Sequence, residues 1–167
     1  MLIPSATSTE CASTVLVFMH PSAIMNLLPM PRALAKAGCH VLTCASRYPN
    51  NDTGLMMEKV VKDLGSVVAH CKDVLEYDRV VLAGWSGGGS LSAFYQSQAE
   101  SPSVTTPIAL TDANLPPAEG LLLMAAHSSR AKILTEWLDP SIWLLRRGAP
   151  WHQPALDCGV LCLLICA

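Results

Sequence analysis

Charge is scarce in this sequence: Asp, Glu, Lys and Arg make up 14% of 167 residues, and the net charge is -2. No segment gathers basic residues, so the electrostatic footprint of a nucleic-acid partner is missing. Cys-x-x-Cys pairs are absent and no His/Cys spacing suits zinc, so neither a metal nor another cofactor is expected. The seven cysteines read as small buried hydrophobes in a reducing compartment. Residues 1–13 lack the basic start and long apolar stretch of a secretory leader. Residues 15–19 and 159–167 are apolar but too short for a transmembrane segment. There is no internal repeat. Together these absences point to a cytoplasmic, single-domain protein.

What the chain has in quantity is apolar side chains, 51% of the total, enough for a core of its own. Residues 15–19 read as a first strand, apolar on both faces as parallel strands tend to be. It ends in the loop His20-Pro21-Ser22-Ala23. Leu27, Leu28, Met30, Leu34 and Ala37 then form a helical apolar face, with Pro31 near its start and Gly38 as its stop. A second strand spans 39–44 and a polar loop 46–52. From 55 to 76, apolar residues recur at Val60, Val61, Leu64, Val67, Val68, Cys71, Val74 and Leu75, the period of a long amphipathic helix. Residues 80–83 form a third strand, 120–126 a fourth, and 129–138 a helix. A Pro-punctuated loop over 99–119 is long enough to be functional or poorly ordered.

Strands alternating with helices predict an α/β fold, a parallel sheet with right-handed crossovers and helices on both faces. The chain divides into a loose lead-in (1–13), a core (14–142) and a divergent tail (143–167). The tail holds two of the four Trp and three of the seven Cys. Its closing apolar run reads in three ways. It is a fifth buried strand, a short helix with Cys158, Cys162 and Cys166 on one face, or an exposed surface through which the chain self-associates.

The most informative stretch is Val80-Val81-Leu82-Ala83-Gly84-Trp85-Ser86-Gly87-Gly88-Gly89-Ser90. A β-branched apolar run enters Gly-x-Ser-x-Gly, and a helical segment follows to about Gln98. That is the strand–turn–helix context of a nucleophile elbow, with Ser86 on the strained turn. Average composition yields the bare pattern in roughly one chain in twenty of this length, so the flanking strand and helix carry the signal. Gly84-x-x-Gly87-x-Gly89 is a poorer fit to a dinucleotide loop. It follows the third strand, not the first, and no strand-end acid lies about 20 residues on.

These residues resemble the α/β-hydrolase fold. The resemblance rests on His20-Pro21-Ser22, on Ser46-Arg47-Tyr48 with Asn51-Asp52, and on Gly84 to Ser90. Phe94 to Glu100, Ala126 to Arg130 and Asp139-Pro140-Ser141-Ile142 extend it over roughly residues 14–142. It implies a core of about four strands in the spatial order 2-1-3-4, with the elbow near mid-sheet. It also implies Ser86 as nucleophile and the Gly87 N–H as one oxyanion donor. The second donor belongs to the loop after the first strand. Pro21 there has no N–H, leaving Ser22 or Ala23.

A serine needs a His to take its proton and an acid to orient that His, and in this family the chain order is Ser, acid, His. The strands that carry the acid and the His lack counterparts beyond Ile142, which implies a core incomplete at the C-terminus, truncated or alternatively read. A compact alternative in the right order is Ser86, Asp139 and His152. His40, His70 and His127 read as structural, and His20 as a residue that shapes the oxyanion loop. The function implied is hydrolysis of a small ester-like substrate through an acyl-enzyme. The alternative is a catalytically inactive remnant that serves as a binding module.

Overall fold

The computed structural model describes residues 2–3, 13–105, 108–127 and 163–166. Its strands are β1 (Leu2–Ile3), β2 (Thr14–His20), β3 (His40–Ala45), β4 (Arg79–Trp85), β5 (Gly120–Met124) and β6 (Leu163–Cys166). Its helices are α1 (Pro29–Lys36), α2 (Met57–Asp73) and α3 (Gly87–Glu100), with a 3-10 turn over Met25–Leu27. The strands form one sheet in the order β1-β3-β2-β4-β5-β6. Its four central strands are parallel. Taken as the first to fourth strands of the sequence, they stand in the expected order 2-1-3-4.

The edges are antiparallel. β1 pairs with β3 through Leu2 opposite Leu42 and Ile3 opposite Val41, inside the stretch expected to be a loose lead-in. β6 pairs with β5 from Leu123 opposite Leu163 to Gly120 opposite Cys166. Of the three readings of the closing run, residues 163–166 therefore follow the strand. The expected helix over 129–138 lies outside the described residues.

Both faces of the sheet are covered, because successive side chains alternate between them. On one face Val15, Val17, Leu42, Val80 and Leu82 pack with Val60, Val61, Leu64 and Val68 of α2 and Leu91 and Tyr95 of α3. On the other, Phe18, Val41, Ala83, Leu122 and Met124 pack with Met25 and with Ala35 of α1.

Helix ends depart from the expected faces for local reasons. α1 begins on Pro29, whose fixed φ suits a first helical position. It closes where Gly38 adopts φ 100° and the Cys39 N–H reaches back to the Leu34 carbonyl. Leu27 precedes the helix in the 3-10 turn and is 78% exposed, and Ala37 past its end is also exposed. Neither joins the core face expected of them. α2 stops at Asp73, so Val74 and Leu75 lie on its closing turn and are exposed. The helical period overran the helix by one turn there.

The long loop is held in place by side chains of α3. Tyr95 donates its hydroxyl to the Pro116 carbonyl at 2.6 Å. Gln96 pairs with Ala118 in both directions, accepting its N–H and donating to its carbonyl, each at 3.0 Å. The buried Gln98 accepts the N–H groups of Ser103 and Val104 at 3.0 Å. Leu110, Leu115 and Ala118 enter the core. Glu119 accepts the Val80 N–H at 2.7 Å and forms an ion pair with Lys72.

Candidate active site

β4 is paired with β2 as far as Leu82 and with β5 as far as Trp85. The turn at its carboxyl end is therefore braced by β5 through pairing and by Met19 of β2 through close packing on Gly88. Ser86 occupies that turn at φ 51°, ψ -121°, a backbone region that L side chains avoid and that stores of order 1–3 kcal/mol. The Ser86 N–H donates to the Met124 carbonyl at the end of β5, and the Ser86 carbonyl accepts the Gly89 N–H, both at 3.0 Å. Close packing explains the glycines. A Cβ at Gly84 would stand 2.5 Å from the Gly88 oxygen, and one at Gly88 would stand 2.6 Å from the Met19 oxygen. Helix α3 starts at Gly87, so the positive end of its dipole sits beside Ser86.

The loop after β2 is organised by His20. Its Nδ1 accepts the N–H groups of Ser22 at 3.1 Å and Ala23 at 2.8 Å. With Nδ1 accepting, the ring proton belongs on Nε2. That nitrogen faces the elbow: a Cβ on Gly87 would meet it at 2.8 Å. His20 thus shapes this loop, as expected from the sequence. The Ser22 and Ala23 N–H groups, between which the second oxyanion donor was expected, are both engaged by the ring in this structure. Next door, Ser46 donates to the Pro21 carbonyl and accepts the Tyr48 N–H, and the Asn50 N–H bonds the Ser22 carbonyl at 2.7 Å. The loops after β2 and β3 are therefore joined.

Asp139 and His152 lie outside the described residues. His40 is structural, its Nδ1 2.8 Å from the Tyr77 hydroxyl. His127 follows β5 three residues past Met124, and its Nδ1 is buried with no hydrogen-bond partner among the described residues. The sequence reading missed the turn after β5, where Ala125 takes φ 46° directly after the carbonyl that holds Ser86. Small residues following a strand, Ala125-Ala126, were the available signal. Among the described residues no cluster of three or more His, Cys, Asp or Glu could hold a metal ion. No helix among them is long and apolar enough to cross a membrane. Behind the elbow, burial pushes the Tyr95 hydroxyl up, with Glu119 adding to the shift.

Comparison with protein-family models and with curated protein sequences returns no match. Comparison of folds finds the crystal structure of a lipase/esterase from Lactobacillus plantarum, with a TM-score of 0.50 and 15% identity over 85% of this chain. A likeness at that identity is one of fold. The chain spans 65% of the length of that structure.

Proposed function

We propose that this chain is a serine hydrolase unit that cleaves ester-like carbonyl compounds through an acyl-enzyme on Ser86. The observation that carries the reading is the backbone of Ser86 itself. A non-glycine residue held at φ 51°, ψ -121°, at the end of a central parallel strand and the start of a helix, projects its hydroxyl above the sheet. Strain of this kind persists only where surrounding structure enforces it, and here both flanking strands do so.

In the proposed reaction the Ser86 Oγ attacks the substrate carbonyl carbon while its proton passes to an imidazole. The Gly87 N–H, at the α3 N-terminus, stabilises the oxyanion. The second donor, expected at Ser22 or Ala23, serves only once its N–H is released from the His20 Nδ1 that both groups bond here. Collapse of the tetrahedral intermediate expels the alcohol, which takes the proton, and water then hydrolyses the acyl-Ser86 ester. His152 is the proposed proton carrier and Asp139 its orienting acid, on chain order alone. The lipase/esterase likeness supports the fold beneath this chemistry, and the substrate is a small ester-like molecule.

A fluorophosphonate probe tests the reading. Covalent labelling of the wild type, lost in Ser86→Ala, is expected. A wild type with a cooperative thermal transition that takes no label overturns it and leaves the fold as a binding module.

A further inference from the structure

The outer side of α1 carries features that neither the core nor the elbow uses. Pro31 and Ala35 face inward and are buried. Away from that face Leu27, Pro29, Arg32, Ala33 and Lys36, with Leu28 partly buried against the core, line an open groove of about 330 Å³. Leu27, 78% exposed, is the most exposed large apolar side chain among the described residues. Arg32 and Lys36 stand four residues apart, hence neighbours on one helix face, and neither forms an ion pair among the described residues.

Local charge is also lopsided. The chain carries 13 acidic residues and a net charge of -2, yet no Asp or Glu occurs from residue 11 to residue 51. Of the three basic residues in that span, Arg47 is neutralised by Asp63. Arg32 and Lys36 remain, without a nearby acid in sequence. The groove begins in the Met25–Leu27 turn, which leaves the carboxyl end of β2. β2 and β4 run parallel, so this is the end of the sheet that bears Ser86.

We infer that this side of α1 docks on an anionic lipid bilayer, with Leu27 at the acyl boundary and Arg32 and Lys36 among the headgroups. An apolar projection bordered by cations is the arrangement that such an interface satisfies from both sides. A second copy of the chain would bring the same cations face to face across a symmetric contact, which opposes pairing. The inference stands apart from the activity proposed for Ser86.

Co-sedimentation of the full chain with phosphatidylcholine vesicles, with and without phosphatidylserine, reads it directly. Binding is expected only when phosphatidylserine is present, and it weakens with added salt. The Arg32→Gln/Lys36→Gln double variant is expected to lower the partition coefficient roughly thirty-fold, at about a factor of five per surface cation. Leu27→Ser lowers it roughly tenfold, and Ser86→Ala leaves it unchanged. Leu27, Arg32 and Lys36 are exposed, so far-UV circular dichroism and Tm of their variants should match the wild type. Equal binding by the double variant overturns the inference, as does loss of binding in Ser86→Ala. A wild type that stays in solution with both vesicle types overturns it too, and turns this face over to an acidic protein partner.

Discussion

The imidazole Nδ1 of His20 accepts the backbone N–H of Ala23 at 2.8 Å, while the other ring nitrogen lies against Gly87. One side chain therefore ties the loop after β2 to the first residue of α3, where the proposed oxyanion donors sit. His20→Ala leaves the Ser22 and Ala23 amides without this acceptor. Net hydrogen-bond contributions of about 1 kcal/mol each predict a loss of roughly 2 kcal/mol, or about 4–8 °C in Tm. Fluorophosphonate labelling of Ser86 is expected to slow by about tenfold or more. An unchanged labelling rate alongside a lowered Tm would reduce His20 to a purely structural residue.

Ser86→Gly separates strain from chemistry. The observed φ 51°, ψ -121° is the mirror image of ordinary extended backbone, which glycine adopts freely. Release of the strain, less the added chain entropy of glycine, should stabilise the fold by about 1 kcal/mol. Calorimetry is expected to show Tm rising by roughly 2–4 °C while labelling disappears. A fall in Tm would mean that the turn is relaxed with serine in place.

Gln98 is expected to hold the start of the long loop. Gln98→Leu removes the acceptor for the Ser103 and Val104 amides and should destabilise by about 1–3 kcal/mol. Gln98→Glu keeps that acceptor and should recover most of the loss. Limited proteolysis reads the difference, with new cleavage between residues 99 and 119 expected in the leucine variant alone.

Alkaline pH should weaken the fold through Cys71. Burial, with Cys44 adding, pushes its thiol from about 9 up to about 11. The folded state therefore holds the proton to higher pH than the unfolded chain does. The associated stability is complete below about 9 and is lost as pH rises through about 11. Tyr95 shifts in the same direction, so the decline continues beyond that range. A Tm-against-pH series should fall across this window, and less steeply for Cys71→Ala.

How much of this was legible in the sequence follows from the reach of each signal. The elbow was legible because strand, glycine spacing and helix start all lie within Val80 to Ser90, and short-range sterics decide them. The four parallel strands were legible as apolar runs, and their order came from the family resemblance. Leu2–Ile3 was not, because two residues have no periodicity and their pairing with β3 lies some 40 residues away. Leu27, Val74 and Leu75 misled for the opposite reason: they keep the apolar rhythm just beyond the helix ends, where the backbone has already turned. Gln96 and Gln98 look like ordinary exposed helix residues. Their partners are backbone groups in a loop without regular structure, and no pattern of hydrophobicity records such bonds.

Placement of β4 also orders the molecule in time. An amide on β4 is released only when β2 or β5 separates from it, whereas β1 holds its edge by two residues and β6 by four. Sub-global openings begin where least is held. Native-state hydrogen exchange should thus run inward, with the edges first and Val81 to Ala83 last. The proposed nucleophile stands on the segment whose protection approaches the global unfolding free energy, so partial opening at the rim can occur many times over without disturbing the turn that presents Ser86.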